Sequence, residues 1–204
     1  MESLSSYAAW LFATMFVLSI GLGAFVHRQI QNSRAEASAM VRDLDADYTD
    51  YYGEFARLST VASRAANLLS PAQLAESTNA LNQFLAELGA FKRSGSRIRD
   101  RIAGSAEASG SLQAGPFVKS TQALERQAES LIGYQIQQLA RPKPSFQSDG
   151  DYMYRRLGLA TSIINYNTLF TRQMFECETN FFTLKSDLQA QIPRTRHWWP
   201  PFKR

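Results

Sequence analysis

A run of twenty residues without a charge, residues 7–26, constrains this chain more than any other feature of its sequence. Folded as a helix, twenty residues extend about 30 Å, which matches the hydrocarbon core of a bilayer. The sequence therefore predicts a single-pass transmembrane anchor over residues 1–27. The apolar residues expected to contact lipid are Tyr7, Trp10, Leu11, Phe12, Phe16, Leu18, Ile20, Leu22 and Phe25.

A cleaved signal peptide is the alternative interpretation of the same segment. Residues 1–6 carry no positive charge, and the apolar run is longer than the core of a typical signal peptide. Gly21 and Gly23, the small residues that could mark a cleavage site, lie inside the apolar run. These features favour a retained anchor.

Basic residues follow the anchor but do not precede it. Arg28, Arg34 and Arg42 lie on its C-terminal side, whereas residues 1–6 contain neither Lys nor Arg. Positively charged flanks are retained on the cytoplasmic side of a membrane. We therefore expect an outside N-terminus and a cytoplasmic domain, in a bacterial inner membrane.

Beyond the anchor, apolar residues recur at spacings of three and four, the period of one face of a helix. The first such seam comprises Val41, Leu44, Tyr48, Tyr51, Phe55, Leu58, Ala62, Ala65 and Leu69. The last comprises Ala160, Ile163, Asn167, Phe170, Met174, Cys177, Phe181, Leu184 and Leu188. Asn167 is the polar member of this seam, and an Asn at such a position typically fixes the register of packed helices.

Two shorter apolar patterns lie between these seams and predict two more helices. The expected core of the second helix is Leu74, Leu81, Phe84, Leu85, Leu88 and Phe91. The expected core of the third is Phe117, Leu124, Ala128, Leu131, Ile132, Ile136 and Leu139.

Turn-forming residues separate the four patterns. Ser70, Pro71 and Gln73 read as a helix stop followed by a capping box. Residues 104–111 are small and polar, and residues 141–150 contain two prolines and a glycine. We expect helices over about 28–69, 71–103, 116–140 and 152–192.

The aromatic residues Tyr48, Tyr51 and Phe55 occupy neighbouring layers of the first seam, which suits a core of several helices better than a two-stranded coil. Short connections favour antiparallel neighbours. The predicted fold is all-α: a single N-terminal transmembrane helix followed by an antiparallel up-down-up-down helical bundle, residues 28–193, with long first and last helices. A hydrophobic content of 45% is sufficient for such a core.

Four alternating helices return the chain to the side from which it started, so the C-terminus should lie at the bilayer. The tail, residues 194–204, is basic and aromatic, and such residues favour the headgroup region. The residues expected there are Arg194, Arg196, Trp198, Trp199, Phe202, Lys203 and Arg204. The alternatives are that this tail docks on a partner or on the bundle, or that it has no role.

Residues that support catalysis are not grouped anywhere in the sequence. His27 and His197 lie at the two predicted membrane edges without other ligands at metal spacing, and Cys177 lies on the last seam, where a buried inert thiol is expected. A single cysteine also excludes an intramolecular disulfide. The net charge of +4 is spread along the chain. We expect no enzyme activity, no cofactor, no metal, no small-molecule substrate and no nucleic acid.

An acidic cluster lies on the first long helix. Asp43, Asp47 and Asp50 share one helical face at i, i+4 and i+7. Such a face could bind a cation or a basic partner, or it could be a solvated surface.

Asp43-Leu44-Asp45, followed after a gap by Leu58 and Val61, resembles the acidic-apolar-acidic motif in the first long helix of the LemA family. Tyr166-Asn167 resembles one of the Tyr-Asn pairs of the same family. The resemblance implies an outside N-terminus, one spanning helix, a cytoplasmic antiparallel bundle, and a scaffold or accessory role without chemistry.

The sequence favours a non-enzymatic membrane-tethered helical scaffold or accessory protein that acts through contacts with other membrane proteins or with copies of itself. The first alternative is a dedicated structural subunit of a larger membrane complex, which would co-purify at fixed stoichiometry. A less favoured alternative is a sensory or ligand-binding bundle.

Overall fold

The computed structural model describes residues 2–70, 73–105 and 110–191. They form four helical rods and no strand within those ranges, as predicted. The first rod is α1 (Glu2–Ala66) and the second is α2 (Leu74–Gly104). The third consists of α3 (Ala114–Gln127), a π-helical segment (Ala128–Gly133) and α4 (Tyr134–Leu139), and the fourth is α5 (Asp149–Gln191).

Neighbouring rods run antiparallel, and polar pairs between them show the register. On α1 and α2, Arg97 pairs with Asp50 at 3.1 Å and Arg101 pairs with Asp43 at 3.3 Å. A later residue of α2 therefore meets an earlier residue of α1. Equivalent cross-pairs join the first rod to the fourth, the second to the third and the third to the fourth. The four rods form the predicted up-down-up-down bundle.

The core follows the two predicted long seams. All of the first seam from Val41 to Ala65 is buried, and Leu69 is half-buried. Aromatic rings join different rods, with Tyr48 stacked on Phe181 at 3.8 Å between ring centres and Tyr51 on Phe91 at 4.5 Å. These contacts confirm a core of several helices. Such ring pairs add to the free energy gained by burying apolar area.

Asn167 is half-buried on the last seam and bonds across the α1–α5 interface. Its side-chain amide donates to the carbonyl oxygen of Ser59 at 3.2 Å and to Ser63 Oγ at 2.9 Å. A shift of one residue between the two helices would break both bonds, so Asn167 fixes their register, as its place on the seam predicts.

Two core predictions are wrong. Leu85 on α2 is 52% exposed, because the buried face of this helix passes through Phe84 and Leu88 and leaves Leu85 on the outside. Leu131 is also exposed, because it lies in the π-helical segment, where the wider turn buries its neighbour Ile132 instead.

Three helix boundaries differ from the prediction by three residues, and the remaining boundaries after the anchor differ by one or two. The first helix ends at Ala66 rather than residue 69, since the next carbonyls bind a side chain from α5 instead of continuing the helix. The second helix begins at Leu74, and of the predicted capping box the backbone N–H of Ser70 donates to Gln73 Oε1 at 3.1 Å. Pro71 lies outside the described residues.

The last helix begins at Asp149 rather than residue 152. Ser148 accepts a hydrogen bond from the backbone N–H of Asp151 at 3.1 Å and donates one to the Asp151 carboxylate at 2.6 Å. This Ser–Asp capping arrangement starts the helix one turn earlier than the glycine suggests.

Among the described residues, no helix is both long enough and apolar enough to cross a membrane. The side chains of most predicted anchor residues, those from Tyr7 to Ile20, lie outside the described part of the chain. Leu22 and Phe25 of the same prediction are exposed on α1. The predicted tail, residues 194–204, also lies outside the described residues.

Candidate interaction surface

Helix α5 is apolar on two faces. One is the buried seam, and the other lies on the outside of the bundle, turned away from the core. The large apolar residues of the outer face that are about half exposed are Leu157 (52%), Ile164 (53%), Phe175 (58%) and Phe182 (53%). They follow one another along a single line of the helix, because their positions differ by near-multiples of 3.6 residues.

Small polar residues fill the gaps in this line. Exposed Thr161, Thr168 and Thr179 lie between the larger side chains. From Leu157 to Phe182 the line covers twenty-five steps of the helix, or about 38 Å. We call these seven residues the outer stripe. A line of large exposed apolar side chains of this length, separated only by small residues, is a candidate interface.

Two charged side chains border the outer stripe on opposite edges. Arg172 is exposed on the edge away from α1, and Glu178 is half-buried on the edge nearest α1. Neither forms an ion pair within the described part of the chain, although ten other pairs are formed there. The stripe therefore has an apolar centre and polar edges, as protein interfaces do.

The predicted acidic face of α1 has a partner within the bundle. Asp47 is buried and forms a hydrogen bond with Arg101, which also contacts Asp43, while Asp50 pairs with Arg97. These carboxylates are paired with a basic face of α2 inside the bundle rather than with a separate partner. In the described residues no group of three His, Cys, Asp or Glu side chains could hold a metal ion.

Arg156 is a buried structural position that the sequence patterns did not identify. It is 1% exposed, and its guanidinium donates to the carbonyl oxygens of Leu69 and Leu139 at 3.0 Å and to Ser77 Oγ at 2.9 Å. Further bonds reach the carbonyl of Leu68 and the hydroxyl of Tyr152. These acceptors lie on the second, third and fourth rods and in the turn that follows the first rod, so Arg156 locks the end of the bundle farthest from the predicted anchor. Extending the last seam backwards from Ala160 by four residues could have indicated it.

The interior near the middle of the bundle contains unreactive polar groups. Cys177 is buried, as predicted, and burial raises the pKa of its thiol to about 11. Burial likewise raises the pKa of the Tyr48 and Tyr51 phenols well above the usual value. Both phenol oxygens are enclosed without a hydrogen-bond partner among the described residues. The thiol is therefore held in its neutral form, in which it is a poor nucleophile.

A partly buried ion pair joins α2 and α3 beside these groups. Arg99 holds Glu125 with two hydrogen bonds, one of them 3.2 Å between Nη2 and Oε2, and also contacts Thr121. A Cβ at Gly95 would overlap Glu125 Oε1 and would lie 3.1 Å from Tyr51 Cε2. The absence of a side chain at Gly95 therefore leaves room for the carboxylate of Glu125. The charge-assisted hydrogen bonds between Arg99 and Glu125 join the two helices.

No family model, curated protein or solved structure matches this chain. The resemblance to the LemA family stays a prediction.

Proposed function

We propose that this protein is a non-enzymatic, membrane-tethered helical scaffold or accessory protein that acts through protein–protein contacts at the membrane. The outer stripe of α5 is the observation that supports the proposal. It is a line of half-exposed apolar side chains about 38 Å long on a helix whose opposite face already forms the core. An apolar surface of this kind is stabilised when another protein covers it.

Two further features agree with this role. The interior groups that could react, Cys177 and the two phenols, are kept neutral and enclosed. The bundle is also rigid at its far end, because Arg156 ties the rods together there. A rigid rod with an exposed apolar side is suited to holding partners at a fixed distance from the membrane.

Substitution within the outer stripe tests the proposal. Tagged full-length protein with Ile164→Glu and Phe175→Glu would be solubilised from its native membrane after mild cross-linking, and its co-purifying proteins identified by mass spectrometry. Both side chains are more than half exposed, so the bundle should fold as in the parent chain. We expect the variant to lose most of the partners that the parent chain retains, since two charges in an apolar interface are costly.

Leu85→Glu is the matched control, because Leu85 is an equally exposed apolar residue on α2, outside the stripe. It should retain the parent's partners. Equal capture by the parent and by both variants would exclude the outer stripe as the contact surface. Equal loss in the two variants would point to a nonspecific effect of added charge.

The same measurement separates the scaffold from the dedicated subunit of a larger complex. A dedicated subunit should bring one or two membrane proteins at constant ratio, whereas a scaffold should bring copies of itself or several partners at variable ratio. The outer stripe is compatible with either.

A further inference from the structure

We propose that the outer stripe binds the outer stripe of a second copy, forming a parallel two-fold dimer whose protomers stand side by side on one membrane. This inference rests on the proposed membrane tether and names the partner for the proposed contact surface.

The size of the outer stripe fits such a partner. A face about 38 Å long and about 10 Å wide has a footprint of roughly 400 Å² on each copy. The two footprints together are about 800 Å², which is smaller than the ~1,200 Å² of the smallest stable interfaces and corresponds to a weak contact in solution. Two copies held in one membrane share an orientation and a high local concentration, so an interface of this size is sufficient there.

The composition of the stripe suits self-association. In a two-fold contact the same surface is used on both subunits, and a parallel pair places Ile164 beside Ile164 and Phe175 beside Phe175. The threonines between them are small enough for the two helices to approach closely. Apart from one step of seven between Thr168 and Phe175, the spacings along the stripe are three and four, which are those of a helix pair packed side by side.

The charges at the edges favour the parallel direction. In a parallel pair the edge that carries Arg172 faces the partner's edge that carries Glu178, six residues further along. Six residues correspond to ~9 Å along the helix axis, which lies within the combined reach of an extended arginine and an extended glutamate side chain. An antiparallel pair would juxtapose equal edges, and Arg172 would then face Asn165, which offers no carboxylate.

Disulfide cross-linking of the full-length chain in phospholipid vesicles tests the arrangement. In a Cys177→Ser background, Thr179→Cys should give a cross-linked dimer under mild oxidation, because each residue of the stripe lies near its own counterpart. Asn82→Cys, exposed on α2, is the control and should remain monomeric. An equimolar mixture of Leu157→Cys and Phe182→Cys chains should give little mixed dimer, since that link forms only in an antiparallel pair.

Charge reversal provides a second measurement that does not depend on introduced cysteines. Arg172→Glu and Glu178→Arg should each lower the dimer fraction in the vesicles several-fold, and the chain carrying both reversals should recover it. Recovery of the dimer in the double variant would identify Arg172 and Glu178 as partners across the interface. If each reversal only damaged the fold of its own chain, the double variant would dimerise less than either single variant.

Each outcome decides between the proposals. A mixed dimer of the Leu157→Cys and Phe182→Cys chains, without a Thr179→Cys dimer, would overturn the parallel arrangement. No cross-link in either case, with Ile164→Glu/Phe175→Glu still losing its co-purifying proteins, would overturn the second copy as partner and leave the proposed function standing. No cross-link together with unchanged co-purification would overturn both.

Discussion

At the scale of single residues, Arg156 is the most consequential side chain in the bundle. Its charge is enclosed, and its bonds go to carbonyl oxygens at the C-terminal end of the third rod and just beyond that of the first, where the helix dipole is negative. The cation is therefore stabilised by the helix ends, and without the guanidinium those carbonyls would lose this donor. The planar fork of arginine supplies donors in several directions at once, which a lysine cannot.

Replacement of Arg156 by Met should lower the free energy of unfolding by about 3 kcal/mol or more, because several buried acceptors lose their partners. Arg156→Lys should fall between Met and the parent chain. Urea-induced unfolding followed by circular dichroism measures both. Arg155→Met is the matched control, since Arg155 is only half-buried and, among the described residues, makes one side-chain hydrogen bond, to Gln138. Equal losses of unfolding free energy at the two positions would contradict the central role of Arg156.

Tyr51 places an unfavourable group in the core, which predicts both a stability change and a pH dependence. Its phenol is buried without a hydrogen-bond partner among the described residues, and its pKa is raised by burial, as are those of Tyr48 and Cys177. Above about pH 9 the unfolded thiol and phenols release protons while the folded ones keep them. The contribution of these groups to the free energy of unfolding is therefore fully present below that pH. It falls as the pH rises, by up to ~1.4 kcal/mol per pH unit for each such group.

Tyr51→Phe removes the unpaired oxygen and keeps the ring stacked on Phe91. We expect the variant to be about 1 kcal/mol more stable at pH 7 and to lose stability less steeply between about pH 9 and 10.5. Urea unfolding at several pH values gives both quantities. Tyr52→Phe is the control at an exposed neighbouring position and should match the parent chain. If Tyr51→Phe lost stability with pH as steeply as the parent chain, the Tyr51 phenol would have the same pKa in the folded and unfolded states.

At the scale of helices, α5 shows what its sequence could and could not predict. Its buried seam was predicted correctly, since a period of 3.6 residues identifies which residues share a face. The outer stripe has the same period, and periodicity alone does not say which of two apolar faces is covered. The early start of α5 was missed because the glycine at 150 suggested a loop, whereas the bonds of Ser148 with Asp151 begin a helix.

The third rod gives the complementary case. Its apolar residues predicted a helix with both Leu131 and Ile132 in the core. Neighbouring side chains of a regular α-helix point about 100° apart, so such a helix could bury these two only partly. The π-helical turn resolves the conflict by burying Ile132 and exposing Leu131. Gly133 allows it locally, because a Cβ there would lie 3.1 Å from Phe84 Cε1. Such a close approach depends on a helix distant in sequence and could not be read from the local pattern.

At the scale of the whole molecule, the antiparallel register sets where the tail begins. Lys185 Nζ lies 2.6 Å from Asp45 Oδ1, so the end of α5, six residues later, lies beside about residue 39 of α1. From there to residue 27 of α1 is about 18 Å along the helix. A segment of seven residues can span at most about 23 Å, so the seven positions after Gln191 are enough for the Trp198-Trp199 pair to reach the predicted membrane edge.

Removal of residues 194–204 should therefore weaken binding to lipid in a chain that lacks the anchor. Within the described part of the chain, all of the buried core lies after residue 40, so residues 28–204 and 28–193 should both fold. We expect the longer chain to sediment with vesicles rich in anionic lipid and the shorter chain to bind several-fold less, since each basic residue near such a surface contributes ~1 kcal/mol.

The lipid and the tail residues can be separated in the same assay. Vesicles of neutral lipid test the contribution of charge, and replacement of Trp198 and Trp199 by Ser tests that of the aromatic rings, which favour the headgroup region. Unchanged binding after removal of the tail would contradict the interfacial role. If both contributions are found, each protomer would be attached at two points, through α1 and through the tail. A rod attached at two points has less freedom to tilt, which would hold its outer stripe parallel to that of a neighbouring copy.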